Sequence, residues 1–169
     1  SYTPDLAVPA AKDAIQELTH RAKALGVKHL VLLSGRGEPD AQASERIVQE
    51  SGIDWTIVRA SWFNQNFSEG EFLPLVLSGH ITLPVGHVQE PFIDADDIAD
   101  VAVAALTQTG HTGEVYEVTG PRLMTFEDVA QEISNATGSL VNFVRIPSED
   151  FLQGLRQAGA PDDQIWLLD

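Results

Sequence analysis

At 169 residues the chain is long enough for one domain with a substantial core, and 43% hydrophobic with 21% charged residues is ordinary globular composition. A formal net charge of −15 opposes binding to nucleic acid or an anionic membrane, and the lack of any Cys excludes disulfides, thiolate catalysis and Cys-ligated metal sites. No apolar run reaches the roughly 20 residues that span a bilayer and no signal-peptide pattern opens the chain, so a cytoplasmic protein is expected.

The opening SYTPDLAVP has no Met and runs directly into a helix, which points to a processed or cut chain. From Ala10 to Leu25 the residues Ala14, Ile15, Leu18, Ala22 and Leu25 fall at helical spacing, with Gly26 as the stop. The apolar run Leu30 to Ser34 predicts a central strand covered on both faces. A helix over Ala41 to Glu50 and a β-branched strand over Asp54 to Arg59 follow. Phe67 to Leu77 reads as a helix with Ser68 and Glu71 in capping-box spacing, and HITLP and EPFID as short extended pieces. Asp94 then caps a helix whose buried face is Ile98, Val101, Ala102, Ala105 and Leu106. GEVYEVTG is a strand, Thr125 and Asp128 bracket the start of a helix ending at Thr137-Gly138, LVNFVRIP is a strand, and Ser148 caps the last helix.

Strands alternating with helices imply βαβ units, a mostly parallel sheet and helices on both faces: a doubly wound α/β domain. Ligands in such sheets sit outside the carboxyl ends of the strands, which directs attention to Ser34-Gly35 and the segment after Arg59. The sequence contains no G-x-G-x-x-G; Gly35-Arg36-Gly37 is the nearest match and Pro39 interrupts it.

The order LVLLSG, SERIVQESGIDWTIVRASWFNQNF, PFIDADDIADVAVAAL and EVYEVTGP with TFEDVAQEIS resembles the NmrA-like branch of the atypical short-chain dehydrogenases. The resemblance implies a Rossmann-like fold whose first strands and Gly-rich turn, about 70 residues at ~30 or more per βαβ unit, would lie upstream of Ser1. It implies one domain over 1–169, with 1–66 and 92–120 as the core and 67–91 and 121–169 as a small substrate-side lobe. The cofactor would be NADP or NAD, and the partner a small-molecule substrate. A homodimer or an upstream segment of the chain are the alternatives for the open sheet edge.

Short-chain dehydrogenases in general pair a Tyr with a Lys one helical turn on, so that the Tyr protonates the developing alkoxide, whereas the NmrA-like branch does not rely on that pair. Here the matching positions are Gly37 and Ala41, and the only tyrosines, Tyr2 and Tyr116, form no such pair with Lys12, Lys23 or Lys28. Ordinary ketone–alcohol dehydrogenation is therefore disfavoured. What the resemblance leaves is hydride transfer to a quinone, enone or iminium, or, as the rival, an NAD(P)-sensing regulator without chemistry.

The residues carried over to the cofactor are Ser34, Gly35, Ala60, Ser61 and Trp62, with Ser34 either bordering the nicotinamide ribose or only leaving its strand. Trp62 and Phe63 are suited to stacking on a flat ring and Asn64 and Asn66 to holding carbonyl or carboxamide groups; the alternative is an amide-rich loop with core aromatics. Glu45 is a structural or solvated carboxylate, with Arg46 or Arg59 as a partner. Asp94, Asp96, Asp97 and Asp100 read as helix-start carboxylates and the five His residues lack ligand spacing, so no metal is expected. His87 is a remote proton-donor candidate, and Pro121-Arg122 either lines the lobe or forms a turn.

Overall fold

The computed structural model describes residues 6–8, 10–160, 162 and 165; Tyr2 and most of the opening segment lie outside them. It is a mixed α/β fold in which every paired strand is parallel, and it divides into two compact units, residues 1–61 with 95–119 and residues 62–94 with 120–169.

The first unit opens with α1 (Ala11–Ala24), β1 (His29–Gly35), α2 (Pro39–Glu50) and β2 (Asp54–Ala60), and is completed by α5 (Ala95–Thr107) and β4 (Glu114–Val118). Its sheet runs β1-β2-β4, with Leu32 opposite Ile57 and Ile57 opposite Val115. Because side chains alternate along a strand, these residues share one face. They pack there with Ala11 and Ile15 of α1 and Ala41 and Val48 of α2. Helix α5 packs against the same two strands, β1 and β2, outside that cluster.

Three sequence expectations change in this unit. Leu106, predicted on the buried face of α5, is 61% exposed, while Ile98 and Ala105 are buried. The apolar stripe of α1 is Ala11, Ile15, Thr19 and Ala22, whereas Leu18 and Leu25 are 51% and 83% exposed. Thr19 tolerates burial because its hydroxyl donates to the Gln16 carbonyl at 2.9 Å. Strand β1, expected to be central and covered on both faces, is an outer strand of the three, as β4 is, and Leu33 is 45% exposed. Among the described residues nothing pairs with its far edge.

The second unit holds α3 (Gln65–Ser68), α4 (Leu73–Leu77), β3 (His80–Leu83), α6 (Phe126–Thr137), β5 (Asn142–Arg145) and α7 (Ser148–Gln157) around a core of Phe67, Phe72, Ile81, Leu83, Phe92, Phe126 and Val129. The expected helix over Phe67 to Leu77 is broken in two. Gly70 and Phe72 donate to the carbonyls of Gln65 and Asn66, closing a turn in which a Cβ on Gly70 would press on Asn66. Pro74 has no N–H to return to Gly70 and fits only a fresh helix start. Ser68 and Glu71 therefore form no capping box. Helix α6 does have one, as expected: the Thr125 hydroxyl accepts from Asp128 N–H at 3.1 Å and the Asp128 carboxylate accepts from Thr125 N–H at 2.8 Å. Ser148 is not a cap; extended Pro147 holds that position and Ser148 begins the helix.

Gly120 is required by contact, since a Cβ there would collide with the Phe92 carbonyl. Gly120→Ala is expected to destabilise by more than about 1 kcal/mol, while Gly154→Ala, in open space within α7, stabilises by up to ~1 kcal/mol; urea unfolding of the two variants reads both. The cap also titrates. Hydrogen bonds from the backbone and hydroxyl of Thr125 hold the Asp128 carboxyl below its ordinary range. A depressed value means that the cap stabilises above the ordinary carboxylate pKa, about 4, and is lost as pH falls through the lower folded value. The stability difference between wild type and Asp128→Asn should then be level near neutrality and shrink in acid, as urea unfolding at several pH values will show.

Candidate functional site

The carboxyl ends of β1 and β2 are in register, Ser34 opposite Arg59 and Gly35 opposite Ala60, and Arg59 stands opposite Glu117 of β4. The loop after β1 is tied to this edge by Arg36 N–H, which donates to the Ala60 carbonyl at 3.0 Å. Ser61 follows β2 and donates its N–H to the Val118 carbonyl at 3.1 Å. Of the residues expected at a cofactor, Ser34, Gly35, Ala60 and Ser61 thus lie along one edge of the first unit. The Ser61 hydroxyl is buried and has no hydrogen-bond partner among the described residues.

Beneath that edge lies a charge network. Glu45 reaches in from α2 and is 1% exposed. Its Oε1 accepts from Ser34 Oγ at 2.7 Å and from Arg59 Nε at 2.9 Å, and its Oε2 accepts from Arg59 Nη2 at 2.7 Å. This two-point fork is the geometry in which guanidinium and carboxylate bind each other best. Arg59 Nη1 turns outward to Glu117 at 3.4 Å, and Glu117 meets Arg36 at 3.7 Å. Hydrogen bonding to Glu45 raises the Arg59 pKa against the opposing effect of burial, so the guanidinium stays charged. Of the two partners the sequence left open for Glu45, the structure selects Arg59. Arg36 and Glu117 were missed; the signal would have been the period-two alternation across three strands, which needs the pairing of β2 with β4.

The remaining expected site residues belong to the second unit. Trp62 is 38% exposed and stacks on Phe72, centroids 5.7 Å apart and planes 16° apart, with the Phe126 ring edge-on at 6.1 Å. Phe63 bridges to Ile93, and Asn64 N–H donates to the Ile93 carbonyl at 2.8 Å. Asn66 N–H donates to Phe63 O, and Asn66 is half-buried in α3. Glu90, which sequence reasoning did not single out, sets its carboxylate 3.4 Å from Trp62 N. Asp94 accepts from Gln65 at 3.0 Å. His87 is on the surface, 3.6 Å from Glu127, and Arg122 pairs with Glu132.

A model of the NmrA-like family matches residues 42–165. An NAD(P)H azoreductase of Xenophilus azovorans is 36% identical over 91% of this chain and 58% of its own length. The chain belongs to the NmrA-like family. Quinone oxidoreductase 2 of Escherichia coli is 30% identical to this NmrA-like chain, over 87% of it and 54% of the relative. In fold, the NADPH-dependent quinone oxidoreductase of Escherichia coli, solved with NADPH, superposes with a TM-score of 0.81 at 24% identity, covering 95% of this chain and 59% of the other. The chain therefore spans a little over half the length of these relatives.

The network makes a ranked stability prediction. Glu45→Ala strips the partner from a guanidinium that is only 23% exposed and should cost about 3 kcal/mol. Glu117→Gln, at a position 52% exposed with a longer bond, should cost less than about 1 kcal/mol. Urea unfolding of the two variants side by side checks the order as well as the sizes.

Proposed function

We propose that this chain belongs to an NAD(P)H-dependent reductase acting on a quinone, enone or iminium acceptor. The observation that carries the reading is the Ser61 hydroxyl, buried without a partner at the carboxyl edge where parallel sheets of this kind bind ligands. In this reading Ser34, Gly35, Ala60, Ser61 and Trp62 face the nicotinamide end of NADP or NAD. The cofactor supplies the hydride. The pyrophosphate has no cradle in this sequence, which lacks the Gly-rich turn.

The second unit serves the substrate side. Phe72 covers one face of the Trp62 indole, and the exposed remainder suits a flat acceptor. Phe63 stacks on the acceptor ring together with Trp62, and Asn64 and Asn66 hold its carbonyl or carboxamide groups. Acceptors of this kind take hydride without a strong general acid, so positioning in an apolar surround supplies most of the rate. The NAD(P)H azoreductase and quinone oxidoreductase names of the relatives support the enzyme over a nucleotide-sensing regulator. The same reading makes the protein cytoplasmic and indifferent to nucleic acid, as its charge of −15 favours, and leaves the outer edge of β1 for a second copy or another segment.

The test is NADPH oxidation by the full-length protein across a panel of quinones. Turnover above the protein-free rate is expected, and Trp62→Ala should raise the acceptor KM by about tenfold, the loss of one stacking contact. Tight NADPH binding with no turnover across the panel would decide for the regulator instead.

A further inference from the structure

The direction of one hydrogen bond limits what Ser34 can do at this edge. Glu45 is a carboxylate held at two points by Arg59, and a carboxylate only accepts. The 2.7 Å contact between Ser34 Oγ and Glu45 Oε1 therefore places the hydroxyl proton between them, with serine donating. A serine hydroxyl has one proton. Once that proton is committed, Ser34 has only lone pairs to offer, and no group among the described residues donates to them. The commitment is firm because Glu45 is buried, its Oε2 is already taken by Arg59, and Arg59 is in turn steadied by Glu117.

Resting on the cofactor reading above, we propose that Glu45 is a positioning residue that fixes Ser34 as a hydrogen-bond acceptor. Ser34 then receives a donor of the nucleotide, a ribose hydroxyl or the carboxamide N–H. It does not polarise the carbonyl of the acceptor, whose oxygen would meet lone pairs. Ser34 thus belongs to cofactor binding, and reduction proceeds without a serine electrophile as well as without a Tyr–Lys acid.

The test is direct titration of the full-length protein with NADPH, read by nucleotide fluorescence, together with steady-state kinetics on a quinone. Ser34→Ala should weaken NADPH binding by about tenfold, the worth of one hydrogen bond, with the loss falling on cofactor affinity and kcat at saturating NADPH changing by about twofold or less. Glu45→Leu removes the acceptor and frees the Ser34 proton, so it should weaken binding comparably. In the double variant the two losses should not add, because Glu45 acts through Ser34. A merely structural Glu45 would weaken binding equally whether or not Ser34 is present, which overturns the proposal. So does a Ser34→Ala protein that binds NADPH as wild type does, or one whose kcat falls about a hundredfold at unchanged cofactor affinity. Ser34→Ala leaves the Glu45–Arg59 fork in place, which keeps the test readable if Glu45→Leu folds poorly. Wild-type protein that binds no NADPH overturns the cofactor reading and this inference together; wild type that binds beside an equally tight Ser34→Ala overturns the inference alone.

Discussion

The fork between Glu45 and Arg59 is the constraint on which the first unit depends. It joins the middle of α2 to the end of β2, takes in β1 through Ser34, and extends to β4 through Glu117. A carboxylate buried to this degree pays a desolvation cost that attraction to one cation barely offsets. Here both oxygens are satisfied by three hydrogen bonds, and the guanidinium keeps an outward route through Nη1. An apolar contact at the same place would hold α2 on the sheet but would leave it free to slide. The fork fixes the helix to one register, and with it the loop from Arg36 to Glu38 that closes the edge.

The two units use different physics. The first relies on aliphatic residues of two helices over a parallel sheet, pinned by the buried ion pair. The second has an aromatic centre, with Phe67, Phe92 and Phe126 meeting in edge-on pairs at 5.4 to 6.3 Å. Rings packed this way are stiff and tolerate few rearrangements. Trp62 is the one indole of that group left partly outside, immediately after the buried Ser61. The chain thus passes in one peptide bond from a polar strand end to an aromatic platform.

Strand positions were legible because β-branched runs and the turn residues between them are local signals. Ser34, Gly35, Ala60 and Ser61 could be named for the same reason, since the carboxyl-end rule needs only the strand ends. The face that α1 buries was not legible. Leu18 and Thr19 are neighbours, and which of them turns inward depends on where α2 lies, not on their own hydrophobicity. The break after Ser68 was misread because Ser68 and Glu71 stand at the spacing of a capping box. Gly70 and Pro74 overrule that spacing through backbone geometry. The partner of Glu45 needed the same tertiary knowledge: Arg46 is adjacent in sequence, but the helix points it outward, while Arg59 arrives from another element.

The missing acid pair is built into the backbone and packing, and is more than two exchanged side chains. Gly37 sits at φ 81°, a left-handed conformation in which a Tyr would be strained. Ala41 is fully buried in the aliphatic cluster of the first unit, where a Lys would have to bring its charge into the core. Restoring Tyr and Lys at these positions would require a different turn after β1 and a different seat for α2. That seat is what Glu45 and Arg59 hold. The same interaction that secures the helix therefore also maintains the turn and the packing that exclude a Tyr–Lys pair at these positions.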